Sequence, residues 1–378
     1  MKLITRTLQK SVEKWLFQNK VLIIYGARQV GKTTLIKQIL EKFPDHSVYL
    51  NCDIFSVQQS LQTTDPERLK EFIGKARLVA LDEAQRIENI GLILKILHDT
   101  VPELKIIATG SSSFDLSNKI NEPLTGRAIE FILYPLSYQE LSEIYSSQEL
   151  PFRWISSIRF GWYPEIAAKS ESDAILLLDN LTGKYLYKDI FEFETVKKPQ
   201  LLVKLLQMLS LQVGSEVSVN ELSVTLQVNR STIERYLDIL EKAFVIFRLY
   251  SFSRNLRQEL NRKFKVYFYD VGIRNSLITN YNPPELRTDG EGLWENYFIA
   301  ERLKYLQSLE IFPKRYFWRT YQGKEIDYLE ETGGKLFAFE CKLNPMAKAG
   351  LPKEFAASYP KHEFNVITPD NYWKFLIR

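Results

Sequence analysis

The chain has 378 residues, too many for one compact core, so two or three domains are expected. Its 45% hydrophobic and 25% charged content is that of an ordinary soluble protein, and a net charge of +4 points only weakly to an anionic partner. Two distant cysteines exclude a disulfide framework, and three scattered histidines do not suggest a zinc site. With no signal-peptide stretch and no bilayer-length apolar run, a cytoplasmic protein with no membrane partner is expected.

Residues 1–20 read as an amphipathic helix, followed by an apolar strand, Val21 to Tyr25. Then comes Gly26-Ala27-Arg28-Gln29-Val30-Gly31-Lys32-Thr33-Thr34, and after it a helix reaching Phe43, with Leu35, Ile36, Ile39 and Leu40 at helical spacing. Strand, glycine loop and helix are the context that the G-x-x-x-x-G-K-[ST] pattern requires. The glycines let backbone N–H groups approach phosphate oxygens, and the helix N-terminus adds partial positive charge. Lys32 is expected to reach the β- and γ-phosphates of a nucleotide and Thr33 to offer its hydroxyl to Mg²⁺.

Ser47 to Asn51 reads as a second strand, and Asp65-Pro66-Glu67 opens a helix. The run Ala76 to Leu81 ends in Asp82-Glu83, as a buried parallel strand does when its C-terminal end meets a ligand. Asp82 is the expected Mg²⁺ residue and Glu83 the residue that orients attacking water. Leu104 to Thr109 is a further strand, ending in Gly110-Ser111-Ser112-Ser113. Asn118-Lys119-Ile120-Asn121 resembles a guanine-reading N-K-x-D but ends in Asn, so guanine specificity is unsupported. Arg127, after Leu124-Thr125-Gly126, is either an arginine finger acting on the γ-phosphate or a surface ion pair.

Together, Gly26 to Thr34, Leu78 to Gln85, Gly110-Ser111-Ser112 and Leu124 to Arg127 resemble the AAA-type P-loop ATPases of bacteria and archaea. Tyr134-Pro135-Leu136-Ser137, Glu140 and Gly161-Trp162-Tyr163-Pro164-Glu165 strengthen the resemblance, which covers nearly the whole chain. It implies ATP as the ligand and a γ-phosphate sensor at the fourth strand's end, where Thr109, Ser111 and Ser112 are candidates. It also implies an appended C-terminal domain with features of the PD-(D/E)xK nuclease fold.

Residues 136–199 read as helices with aromatic anchors Trp154, Trp162 and Tyr163, expected to form a lid beside the nucleotide. Residues 194–200 read as a linker. Over residues 200–280, three helices and a β-hairpin describe a winged helix-turn-helix, with serine caps at Ser218 and Ser231. Its third helix has mixed charge. The wing, with Arg248, Arg254, Arg257, Arg262, Lys263 and Lys265, is basic enough for phosphate contact, although winged helices also serve in domain packing.

Residues 281–378 open on a Pro- and Gly-rich hinge and a helix carrying Glu295. Glu340 and Lys342 share one face of the last strand, with Asp327 on its neighbour. This D…E-x-K pattern is the constellation of metal-dependent nucleases: Asp327 and Glu340 take the metal, Lys342 positions water, and Glu295 completes the cluster. The bland alternative is an exposed strand face with alternating charges.

The expected architecture is therefore α/β: a P-loop parallel sheet over 1–135, a helical lid over 136–199, a winged helix over 200–280 and a nuclease-like domain over 281–378. The expected cofactors are ATP and Mg²⁺. Nucleic acid, DNA rather than RNA, is the expected partner, and a homo-oligomer is required if Arg127 acts in trans. Three function classes compete: an ATPase that also cuts nucleic acid, a nucleotide-gated binding switch without cleavage, and a P-loop small-molecule kinase.

Overall fold

A computed structural model describes residues 3–111, 123–186, 198–253 and 263–377. Ser112, Ser113, Asn118 to Asn121, Glu194 and the wing arginines Arg254, Arg257 and Arg262 lie outside the described residues. The chain divides into two compact units: Met1–Pro135 with Lys242–Phe244, and Leu136–Glu241 with Val245–Arg378. Among the described residues, no helix is long and apolar enough to cross a membrane.

Among the described residues, the first unit is built on five strands: β1 (Val21–Tyr25), β2 (Ser47–Asn51), β3 (Leu78–Asp82), β4 (Lys105–Gly110) and β5 (Ala128–Ile132). They lie in the order β2-β3-β4-β1-β5, with every pairing parallel. β1 and β3 are buried along their whole length, as strands covered on both faces must be. Register brings Tyr25 level with Gly110, and Asn51 level with Asp82. The glycine loop after β1, the acids ending β3 and the serine after β4 therefore gather at one edge of the sheet.

The opening helix is shorter than expected, Leu8–Leu16, and leaves Arg6 outside it. The helix after the glycine loop is Lys32–Leu40, so Lys32 and Thr33 fall in its first turn. Asp65 caps Pro66–Ile73 by accepting the Glu67 N–H, as the Asp-Pro-Glu signal predicts.

Among the described residues, the second unit contains one seven-stranded sheet, in the order β12-β11-β10-β9-β7-β8-β6. Its strands are β6 (Glu216–Val217), β7 (Ile246–Ser251), β8 (Phe264–Phe268), β9 (Lys314–Arg319), β10 (Glu325–Thr332), β11 (Lys335–Cys341) and β12 (His362–Ile367). β6, β7 and β8 form an antiparallel group, with β6 between the helices Pro199–Leu211 and Val219–Thr225, and β7 and β8 after a third helix, Arg230–Lys242. Ser218 caps the second of these helices by accepting the Glu221 N–H. The third begins at Arg230, so Ser231 lies inside its first turn rather than capping it. A short parallel pairing, Tyr250 with Tyr316 and Ser251 with Phe317, joins this group to the C-terminal strands. Residues 200–280 and 281–378 therefore share a sheet.

The segment after Pro135 is built into this second unit. Ser137 and Glu140 form a reciprocal capping box on Tyr138–Leu141, and the Tyr138 N–H donates to Glu301 at 2.7 Å. Trp154 meets the fully buried Trp294 edge-on at 5.6 Å. Gly161 has a physical reason for its place in the Gly-Trp-Tyr-Pro-Glu motif. Its φ is +66°, and a Cβ there would lie 1.9 Å from Asp270 Oδ1. That carboxylate accepts N–H bonds from Trp162, Gly272 and Ile273.

Candidate functional site

At the first unit's sheet edge, the glycine loop makes a tight cradle. A Cβ on Gly26 would lie 2.3 Å from the Leu133 carbonyl oxygen, and Gly31 has φ +98°. Gln29, with φ +64°, also takes the left-handed conformation that side chains rarely adopt. Lys32 is buried, and its Nζ donates to the carbonyls of Gly26 and Ala27 at 2.9 and 3.0 Å, inside the loop's own curve.

Arg6 was not anticipated from the sequence. Its buried guanidinium donates to the Val30 carbonyl and to the Tyr134 carbonyl, each at 2.6 Å. It therefore ties the tip of the loop to the chain beyond β5. Nothing in the spacing of a segment read as an amphipathic helix signalled this.

Asp82 is the hub of the edge. Its Oδ2 accepts from Thr33 Oγ1 at 2.6 Å and from the Tyr49 hydroxyl at 2.7 Å. Its Oδ1 accepts from the fully buried Thr109 hydroxyl. Burial and the Asp82 carboxylate raise the Tyr49 pKa, keeping the phenol a donor, and burial with the same charge pushes the Cys52 thiol up to about 12. Tyr49 was missed, because it sits on another strand and carries no motif.

Glu83 follows at φ +54°, another left-handed backbone on a bulky residue. Its N–H donates to Thr109 Oγ1 at 3.2 Å, and its Oε2 accepts from Gln85 Nε2 at 2.5 Å. Gln85 Nε2 also reaches Ser111 Oγ at 3.1 Å. Of the sensor candidates, Thr109 therefore touches both acids, and Ser111 approaches Glu83 through Gln85.

Three hydroxyls around one carboxylate, at the same sheet edge as the glycine loop and its lysine, suit a hard divalent cation with a polyphosphate. Thr33 and Asp82 are the residues that fit such a cation. Arg127 is not brought there. Its carbonyl accepts the Val21 N–H, which puts it at the opposite edge of the sheet, and its guanidinium pairs with Asp99 at 2.9 Å. Within its own chain it does not reach the loop.

The second unit gathers Glu295, Asp327, Glu340 and Lys342, but around a residue expected to face phosphate. Lys265, 1% exposed on β8, places Nζ 3.0 Å from Glu295 Oε1 and also pairs with Glu325. The Tyr267 hydroxyl donates to the same Glu295 oxygen. Asp327 Oδ2 accepts the Cys341 N–H at 2.8 Å, and Glu340 Oε1 accepts from Lys342 Nζ at 2.7 Å.

A bulge aims Asp327. Ile326 and Leu329, three residues apart, join one hydrophobic cluster with Trp318, Leu336, Ala338 and Phe355, and register shifts between them. A regular strand would put them on opposite faces.

Burial pushes the Glu295 carboxyl up to about 8 against the pull of Lys265. Burial likewise raises Asp327 and Glu340, with the Asp327 charge adding to the effect on Glu340. Burial works against the charge on Lys265, but Glu295, Glu325 and Asp327 override it and hold its pKa up. Among the described residues, no group of three or more His, Cys, Asp or Glu side chains is set to hold a metal ion. Of the three carboxylates expected to form a metal cluster, Glu295 meets the Lys265 ammonium, Glu340 meets Lys342 and Asp327 accepts a backbone N–H.

The described basic residues of the hairpin are likewise engaged. Arg248 pairs with Asp238 and Glu241, and Lys263 with Glu216 at 2.8 Å. Arg230 and Arg235 are exposed on the preceding helix, beside Glu234 and Asp238.

Residues 18–142 match the AAA domain family AAA_14. Residues 153–284 and 291–371 match two domains of unknown function, DUF8612 and DUF4143. An uncharacterized protein of Mycobacterium tuberculosis is 27% identical over 325 residues, covering 85% of this chain and 70% of that protein. An uncharacterized protein of Methanocaldococcus jannaschii is 26% identical over 341 residues, covering 81% of this chain and 75% of that protein. Among solved structures, the Thermotoga maritima RuvB Holliday junction branch migration motor aligns over 65% of this chain and 90% of that one. Its identity is 17% and its TM-score 0.32, too low to carry an argument. The family match over residues 18–142 and the all-parallel sheet of the first unit both support an AAA-type P-loop NTPase fold there.

Proposed function

We propose that this chain, with an AAA-type P-loop domain over residues 18–142, is a Mg²⁺-dependent ATPase whose cycle works a nucleic-acid-binding C-terminal half. One observation carries the reading: Asp82 receives the hydroxyls of Thr33, Tyr49 and Thr109 directly behind the glycine loop, with Glu83 beside it.

The loop from Gly26 to Thr34 would hold the phosphates through its N–H groups and the helix N-terminus. Lys32 would exchange the Gly26 and Ala27 carbonyls for phosphate oxygens. Thr33 and Asp82 would hold Mg²⁺, which supplies charge neutralisation on the transferring phosphoryl group. Glu83, steadied by Thr109 and Gln85, would orient water for in-line attack, and Arg6 would keep the loop in shape.

The nucleic-acid half of the reading draws on the helix and strand order over 200–280, which suits a winged helix, and on the exposed Arg230 and Arg235. Of the two versions of that half, the non-cutting switch is favoured over the nuclease by the ammonium among its carboxylates.

Calorimetry of ATP with Mg²⁺ on the full chain tests the proposal. Uptake is expected in the wild type and its loss in Lys32→Ala, with the far-ultraviolet dichroism unchanged. Equal ATP affinity in both would remove the phosphate site. Salt-sensitive binding of a DNA duplex, measured with and without ATP, tests the coupled half.

A further inference from the structure

We infer that Lys265 is the resident cation of the C-terminal carboxylate cluster, standing where a divalent metal would otherwise bind, so that this half holds nucleic acid without metal-dependent cleavage. The inference rests on the nuclease-like reading of that half, since it concerns the residues which that reading gives to the metal.

Carboxylates hold a divalent ion when several oxygens face one point with their negative charge uncompensated. Here each carboxylate already has a donor. Lys265 Nζ lies 3.0 Å from Glu295 and is bonded to Glu325, and the Tyr267 hydroxyl takes up Glu295 as well. The Cys341 N–H holds Asp327 and Lys342 holds Glu340.

The ammonium is also held in place. Lys265 is in the middle strand of the β6-β8-β7 group, level with Glu216 on one side and Leu249 on the other, and it is 1% exposed. Its Nζ lies over the Phe317 ring, 5.4 Å from the ring centroid. A metal entering the cluster would have to displace a buried charge already bonded to Glu295 and Glu325. A buried ammonium persists only when it is paired and hydrogen-bonded, and this one satisfies that requirement through the carboxylates themselves. D…E-x-K, read alone, shows the anions. The cation that answers them comes from a strand 62 residues before Asp327.

The test is Mn²⁺ uptake by the full chain without nucleotide, read from loss of the free-ion signal in electron paramagnetic resonance. Wild type and Asp327→Asn are expected to take up the same Mn²⁺. Lys265→Met is expected to gain one tight Mn²⁺ per chain, lost again in Lys265→Met/Asp327→Asn. A wild-type Mn²⁺ site that Asp327→Asn abolishes overturns the inference and leaves the nuclease-like reading standing. A folded Lys265→Met that gains no Mn²⁺ overturns both.

If Lys265→Met does not fold, plasmid nicking in Mn²⁺ decides between wild type and Asp327→Asn. Wild-type nicking lost in the variant overturns the inference, and the absence of such a difference supports it. A labelled duplex titrated into the same samples reports on nucleic-acid binding separately, so failure there leaves the metal result intact.

Discussion

The two carboxylate clusters of this chain differ in what answers the negative charge. At the glycine-loop edge, Asp82 is met by three hydroxyls, which satisfy its lone pairs but leave its charge in place. In the second unit, Glu295 and Glu325 are met by an ammonium, which brings an opposite charge as well as hydrogen bonds. Hydroxyl donors can turn away and leave an anionic oxygen for an arriving cation. A buried ammonium has already filled that role. Two constellations that look alike as acids in a sequence thus have opposite readiness for a divalent ion.

The sharpest way to break this contrast is at Glu83. Glu83→Gln should retain ATP binding while turnover falls by roughly 10²–10⁴, the usual range for removing a general base. A wild-type rate in a steady-state phosphate-release assay would remove Glu83 from its role.

Next in size is Lys265→Met, expected to cost about 3–5 kcal/mol in urea unfolding, because it leaves buried carboxylates without their counter-charge. Thr109→Val, which removes a hydroxyl rather than a charge, should cost about 1–3 kcal/mol. Equal losses would mean that the two clusters are not distinguished by charge compensation.

Tyr49→Phe takes one of three donors from Asp82 and should weaken Mg²⁺-ATP binding only severalfold, about 0.5–1.5 kcal/mol by calorimetry. The smallest effect belongs to Arg127→Ala. Its exposed pair with Asp99 is screened by solvent and contributes little, and dilute chains should hydrolyse ATP at nearly the wild-type rate. A turnover loss that grows with protein concentration would instead show a second copy supplying Arg127 in trans.

Much of the first unit was legible in advance because its chemistry is local. A strand, a glycine loop and a helix lie in one run of sequence, so the order of residues is also their order in space, and the bounds of β1 and β2 match the apolar runs that announced them. Asp82 and Glu83 announced themselves as acids closing an apolar strand. Arg6 and Tyr49 did not, because each acts through a contact across the fold: Arg6 with Val30 and Tyr134, Tyr49 with Asp82. The choice between the two readings of Arg127 was not legible for the same reason. A flexible loop ending in arginine says nothing about which edge of the sheet it joins, and only its bond to the Val21 N–H decides that.

The sequence by itself determined the strand–glycine loop–helix unit, the acidic strand end and the periodicity that puts Glu340 and Lys342 together, since all of these depend on neighbours along the chain. Tertiary structure alone decided what those groups face. The bulge that aims Asp327 and the β8 lysine that meets Glu295 are consequences of strand pairing and burial, and in the buried setting of that cluster the sign of the nearest charge governs what else can bind.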